Sequence, residues 1–75
     1  MPSELIVLDK SGDVKMIWDG EKKKEVDAAK KMFDDMKKNG YLAYTVDREG
    51  EKGEVIFDFH PQAEKIIMTP QMQGG

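Results

Sequence analysis

The chain has 75 residues, no cysteine and a formal net charge of −3, with 39% hydrophobic and 36% charged residues. This length allows one small hydrophobic core and excludes a second domain. The composition also excludes disulfides and thiolate metal sites. The acidic balance argues against nucleic acid as a partner, because general phosphate binding depends on lysine and arginine. We expect a cytoplasmic protein without a signal peptide or membrane span, since the first apolar run is short and follows an acidic start.

The first quarter of the chain predicts an antiparallel β-hairpin. Residues 5–8 are an apolar run containing Ile and Val, which is typical of a buried strand, and turn-forming residues follow at 9–13. Val14, Met16 and Trp18 then alternate with polar residues, which is typical of a half-buried strand interrupted only by Ile17. Two such strands joined by a short turn form a hairpin.

A helix is predicted next, because apolar residues recur at spacings of three and four. Val26, Ala29, Phe33 and Met36 form this stripe. The lysines at 22–24 are unfavourable at the positive end of a helix dipole, so we expect a solvated lead-in and a helix start near residue 25. The alternative is an anion or acidic-partner site at the start of the helix. Two lysines at 37–38 and Gly40 are favourable end signals.

The last third of the chain predicts three further strands. Residues 41–46 are rich in strand formers, with Leu42, Tyr44 and Val46 expected on one face. A charged loop follows at 47–53, and residues 54–59 alternate again, with apolar side chains at 55, 57 and 59 expected to face the core. Pro61 ends that strand, and residues 65–69 form a final short strand before Pro70.

The predicted fold is therefore α+β, with the element order ββαβββ and one helix packed across a sheet in two layers. Residues 1–70 form a single small domain, and residues 71–75 form a flexible C-terminal tail.

The sequence supports no catalytic or metal site and implies no cofactor. His60 is the only histidine, and without cysteine a nucleophile would have to be a distant Ser or Thr. Residues 9–13 begin like a calcium loop, but Val14 stands where the loop needs glycine and Gly20 where it needs glutamate. We therefore expect that the chain is not an enzyme.

Two features predict a protein-interaction surface. Acidic side chains cluster on the second hairpin at Asp47, Glu49, Glu51 and Glu54, and their charge would suit a basic partner. Trp18 lies at a strand end beside a turn, so we expect it to be partly exposed and to contribute to such a surface.

The chain ends on Gly74 and Gly75 after a proline and three further residues. Glycine has no side chain, so a Gly-Gly end can enter a channel that is too narrow for other residues. Residues 71–75 in extended form reach roughly 16 Å beyond Pro70. A carboxylate on Gly75 could then be activated in the active site of another protein.

The element order, the length and the Gly-Gly end after a short tail resemble the ubiquitin-like β-grasp family, which includes the small prokaryotic sulfur carriers. The resemblance implies a β-grasp-like mixed sheet and a protein modifier or sulfur carrier without catalytic activity of its own. It also implies that a partner enzyme adenylates the terminal carboxylate. The covalent attachment residues would be Gly75 and Gly74. The sequence lacks the basic tail of ubiquitin.

A second hypothesis is a small acidic binding module without covalent chemistry, such as an interaction domain or a phage- or plasmid-encoded inhibitor. It would act through the acidic hairpin or through an open sheet edge, since such edges pair readily with extended peptides. Both hypotheses require a protein partner, and neither predicts an oligomeric state.

Overall fold

The computed structural model describes residues 2–9, 12–46 and 52–70. The roles predicted for Asp47, Glu49, Glu51, Gly74 and Gly75 therefore fall outside the described residues. The elements are β1 Pro2–Asp9, β2 Gly12–Asp19, α1 Lys23–Lys38, β3 Tyr41–Val46, β4 Lys52–Ile56 and β5 Lys65–Pro70. The expected element order is confirmed.

The strands form one mixed sheet in the order β2-β1-β5-β3-β4. Both predicted hairpins are antiparallel pairs, β1 with β2 and β3 with β4. The last strand lies in the middle of the sheet, parallel to β1 and antiparallel to β3. With α1 packed against the sheet, this is the expected two-layer α+β fold in a β-grasp-like arrangement.

Helix α1 buries the predicted stripe. Ala29 and Phe33 are fully buried, and Val26, Met32 and Met36 pack partly buried against the core. The helix ends where the sequence indicates, because Gly40 has a φ of +90°, a conformation that glycine adopts at little cost. Within the described part of the chain, no helix combines the length and the apolarity needed to cross a membrane.

The helix begins at Lys23, two residues before the expected start at Glu25. The Glu25 carboxylate accepts a hydrogen bond of 2.9 Å from the backbone N–H of Asp19 and lies 3.8 Å from the Lys22 ammonium. These contacts place an acidic group in the first turn, where it offsets the lysines at the positive end of the dipole.

The expected exposure of Trp18 is wrong. Its side chain is 0% exposed and is the largest of the fully buried side chains. The segment after β4 folds over it, so that the rings of Trp18 and Phe59 are 5.2 Å apart and the indole Nε1–H donates to the carbonyl oxygen of Pro61 at 3.1 Å. Trp18 is a core residue and contributes no side-chain surface to a partner.

The expected orientation of β4 is also wrong. The strand ends at Ile56, which is 6% exposed and belongs to the core, whereas Val55 is 49% and Phe57 72% exposed. The pairing of β3 with β4 shifts register between Tyr44 and Val46, which moves the inward-facing positions by one residue. On β3, Ala43 and Val46 are both buried, and the regular pairing of β3 with β5 places them on opposite faces of the strand.

Candidate functional site

The predicted tail follows a strand that is paired on both sides. The pairing of β5 with β1 runs from Lys65 to Met68, and its pairing with β3 continues to Pro70, opposite Tyr41. A side-chain hydrogen bond of 2.6 Å joins the hydroxyl groups of Tyr44 and Thr69 across these strands. Residue 71 therefore follows directly on a well-anchored point of the fold.

The proposed covalent residues Gly74 and Gly75 lie outside the described residues, so their role stays a prediction. The structure defines their starting point, because Pro70 is exposed and ends the central strand β5. The extended reach of roughly 16 Å is measured from this residue.

Of the predicted acidic surface, only Glu54 is described. It is exposed on β4, and its backbone N–H donates to the Thr45 hydroxyl at 3.3 Å. Asp47, Glu49 and Glu51 belong to the residues that are not described. Glu54 is therefore exposed on the second hairpin, and its part in an interaction surface stays a prediction.

The edge strand β4 carries an exposed apolar surface that the sequence pattern did not predict. Among the described residues, no strand pairs with the outer edge of β4. Phe57 follows this edge, and Val55 lies on it, both largely exposed. The alternation at 55, 57 and 59 suggested core residues, and only the register shift shows that two of them face solvent.

Helix α1 holds the exposed Phe57 in place. The Lys37 ammonium lies 4.9 Å from the centre of the Phe57 ring and donates a hydrogen bond of 3.1 Å to the Phe57 carbonyl oxygen. A cation over an aromatic face is favourable by about 0.5–1 kcal/mol at exposed sites. The ring is therefore oriented although it is not buried.

A cleft of about 410 Å³ lies at the opposite end of β5 from the tail. Its walls come from the start of β1, the end of β2 with the turn that follows, and the segment that leads into β5. No single stretch of sequence predicts it, because the chain regions that line it are far apart in sequence.

An ion-pair group spans three strands beside this cleft. The Glu4 carboxylate lies 3.0 Å from the Lys15 ammonium and 3.5 Å from that of Lys65. The hydrogen bond from Lys15 is the largest cause of a lowered pKa of Glu4; burial opposes it, and the positive charges of Lys15 and Lys65 add to the lowering. Glu4 therefore remains ionised to lower pH than a free glutamate.

The described residues assemble no recognisable catalytic or metal centre. His60 is exposed between β4 and β5. Within the described ranges, no three His, Cys, Asp or Glu side chains are grouped so that they could hold a metal ion. The candidate site therefore consists of the tail, the β4 edge and the cleft.

Comparisons with protein-family models, curated proteins and solved structures return no match for this chain.

Proposed function

We propose that the protein is a ubiquitin-like modifier or sulfur carrier that acts through the Gly75 carboxylate. The observation that carries this proposal is the place of β5, which lies between β1 and β3 and ends at the exposed Pro70. A Gly-Gly end that reaches into another active site needs a fixed base, and a strand paired on both sides supplies one. The resemblance to the β-grasp family supports the same function.

In this proposal the chain is the substrate of a partner enzyme and performs no catalysis itself. A Gly75 carboxylate oxygen attacks the α-phosphorus of ATP, and pyrophosphate leaves to give an acyl-adenylate. A thiol or a sulfide donor then attacks the acyl carbon and releases AMP, which yields a thioester or a thiocarboxylate. Gly74 adds no side chain beside the reacting carbonyl, so the end of the chain can enter a narrow active-site channel. A cytoplasmic location, where ATP is available, forms part of the proposal.

The direct test is activation in vitro. The protein would be incubated with ATP, magnesium and candidate adenylating enzymes from its own genome, and intact mass spectrometry would detect the adenylate, the thioester or the thiocarboxylate. Activation of the wild-type chain, together with its loss on deletion of Gly74 and Gly75, is the expected result. The variant Gln71→Ala is the matched control, because it changes the tail but leaves both glycines.

A cellular test is independent of the choice of enzyme. The proposal requires that the protein in its native cells ends with a free carboxylate on Gly75. The intact mass of the protein isolated from those cells shows whether it does. A cellular function that survives deletion of Gly74 and Gly75 would overturn the proposal.

The exposed edge of β4 favours a second candidate function, a non-enzymatic protein-binding module. Glu54 and Val55 on the strand and Phe57 after it offer charge and apolar surface along an edge with which no strand pairs among the described residues. An extended basic peptide could add to such an edge as a further strand, with main-chain hydrogen bonds giving affinity and side chains giving selectivity.

Charge reversal tests this second function. Replacing Glu49, Glu51 and Glu54 by lysine should weaken capture of a basic partner, and the wild-type interaction should weaken as salt is added. The variant Phe57→Ser should weaken capture without the change in salt dependence. If partner capture requires Gly74 and Gly75 but not these side chains, the carrier function alone accounts for the interaction.

A further inference from the structure

Strand β2 leaves one long edge of the sheet open. It stands at the end of the strand order, and within the described ranges its only neighbouring strand is β1. Its eight residues keep one continuous register with β1 and contain no proline, whereas β4, the other edge strand, has five residues and a register shift. Bulges and prolines are devices that protect a sheet edge from further pairing. The β2 edge lacks both, so it is the edge that can accept another strand.

Alternate residues of β2 direct their main-chain groups outward from this edge. The pair Asp9–Gly12 closes the hairpin with two residues between them, so it exchanges both of its main-chain hydrogen bonds. Every second pair after it does the same, which directs the N–H and C=O groups of the intervening positions away from β1, at residues 13, 15, 17 and 19. This alternation is seen at Asp19, whose N–H donates to the Glu25 carboxylate at 2.9 Å and whose carbonyl oxygen accepts from the Lys22 N–H at 3.0 Å. The main-chain groups of Asp19 are therefore already in use, and pairing with another strand would have to lie earlier on β2.

Val14 is a core-side residue on this edge that the chain leaves half uncovered. Its partner on β1 is Val7, which is 2% exposed, and opposed residues of two paired strands point to the same face. Val14 therefore points to the side of the sheet that carries the core, yet it is 49% exposed. Burial of this side chain would be favourable if another strand paired with β2.

The charges along β2 select one way to pair two copies. In a twofold antiparallel pair the axis passes through one residue, which then faces its own copy, and like charges directly opposite each other are destabilising. An axis at Asp13 or at Lys15 would oppose that residue to itself. An axis at Met16 would oppose Asp13 to Asp19, and an axis at Ile17 would require the main-chain groups of Asp19.

An axis at Val14 meets none of these obstacles. It places Asp13 of each copy opposite Lys15 of the other, and both positions direct their main-chain groups outward. The Lys15 ammonium lies 3.0 Å from the Glu4 carboxylate on the β1 side, but its side chain is still 54% exposed, so a second carboxylate can approach it. The two Val14 side chains would cover each other at the axis.

We propose that the protein self-associates by antiparallel pairing of β2 with β2 of a second copy, about a twofold axis at Val14. The contact spans residues 12–16, and each Asp13–Lys15 pair exchanges its main-chain hydrogen bonds. Two five-stranded sheets thereby join into one sheet of ten strands. The axis reverses the strand direction, so the two Pro70 residues lie at opposite ends of this sheet. The proposal is independent of the carrier function, which its failure would leave untouched.

The test is disulfide trapping in the complete protein, which has no cysteine of its own. Val14→Cys places two thiols across the axis, where Cα atoms of opposed residues lie about 4.5 Å apart, within the range for a disulfide. Val55→Cys is the matched control, because Val55 is also a valine that is 49% exposed on an edge strand. In a glutathione redox buffer, Val14→Cys should form the linked dimer at least about tenfold faster than Val55→Cys.

Two further variants test the register and the charges. With the axis at Val14, the two copies of residue 17 lie about 20 Å apart, so Ile17→Cys should crosslink no faster than Val55→Cys. In the Val14→Cys chain, Asp13→Lys should slow crosslinking roughly fivefold, because it opposes a second cation to Lys15. Glu54→Lys changes the net charge by the same amount on β4 and should leave the rate unchanged.

The association should also be seen without cysteine. Sedimentation equilibrium of the wild-type protein should give a mass that rises above the 8.5 kDa of one chain as the concentration approaches about 1 mM. Val14→Lys should remove this rise, because it opposes two cations at the axis. Circular dichroism reports that each variant is folded.

Three results would overturn the proposal. Equal crosslinking rates for Val14→Cys and Val55→Cys would show that the thiols meet only by random collision. Faster crosslinking of Ile17→Cys than of Val14→Cys would place the axis elsewhere on β2. A wild-type mass that stays at one chain up to about 1 mM would show that the edge does not pair with its own copy.

Discussion

Trp18 on β2 and Pro61 before β5 are joined by a hydrogen bond of 3.1 Å from the indole Nε1–H to the backbone carbonyl oxygen, across 43 positions of sequence. This bond ties the end of an edge strand to the segment that leads into the central strand. It also gives a buried indole its one required partner, without which desolvation of the N–H would be costly.

We predict that Trp18→Phe lowers the free energy of unfolding by about 1–3 kcal/mol, because it leaves the Pro61 carbonyl unpaired and a void beside Phe59. Urea denaturation followed by circular dichroism measures the change, since the variant lacks the only tryptophan. In the wild-type protein, tryptophan emission should be blue-shifted and resistant to soluble quenchers. An emission maximum typical of solvated indole would contradict the burial of Trp18.

Substitutions at Phe57 and Phe59 together test which side chains around the end of β4 face the core. Phe59 packs against Trp18 at 5.2 Å and Phe33 at 5.6 Å between ring centres, whereas Phe57 is 72% exposed. We predict that Phe59→Ala lowers the free energy of unfolding by about 2–4 kcal/mol and Phe57→Ala by less than about 1 kcal/mol. Equal losses in the two variants would mean that both rings face the core, as the alternation in the sequence suggests.

Gly53 lies where β4 packs closely against Thr45 of β3. A Cβ atom there would lie 2.6 Å from both the carbonyl oxygen and the hydroxyl of Thr45, so the strands would have to separate. We predict that Gly53→Ala lowers the free energy of unfolding by about 1–3 kcal/mol. Amide hydrogen exchange should accelerate in β3 and β4 before it does in β1. Glu54→Ala, at an exposed neighbouring position, should change stability by no more than about 0.5 kcal/mol.

The ion pairs of Glu4 predict a pH dependence of stability. Its pKa is lower in the folded than in the unfolded protein, so the folded state is favoured above the unfolded pKa, and this stabilisation is lost as the pH falls through the folded value. Glu4→Gln should therefore destabilise the protein at neutral pH and have little effect in acid.

The free energy of unfolding, measured from neutral to acid pH, checks the prediction. In a Lys15→Gln background the effect of Glu4→Gln should shrink, because the hydrogen bond from Lys15 is the main cause of the lowered pKa. A cost of Glu4→Gln that stays constant from neutral to acid pH would contradict the assignment.

Local patterns in the sequence were sufficient to predict the elements and their order. The helix shows a stripe of period 3.6, cationic residues in its last turn and Gly40 at its end, and all of these signals involve neighbours within one or two turns. The first hairpin could be predicted in the same way, because alternation and turn residues are local features of the sequence. The exposure of Glu54 also followed from the sequence, whereas the tail predicted after Pro70 lies outside the described residues.

The tertiary structure alone decided the features that depend on distant segments. The insertion of β5 between β1 and β3, the burial of Trp18 beneath Phe59 and Pro61, and the cleft all require residues more than 40 positions apart to meet. The face of β4 was decided by a register shift against β3, and a shift of one residue exchanges the buried and exposed sides of a strand. The amino-acid pattern of a strand does not contain the register of its partner, so the exposure of Val55 and Phe57 could only emerge from the assembled sheet.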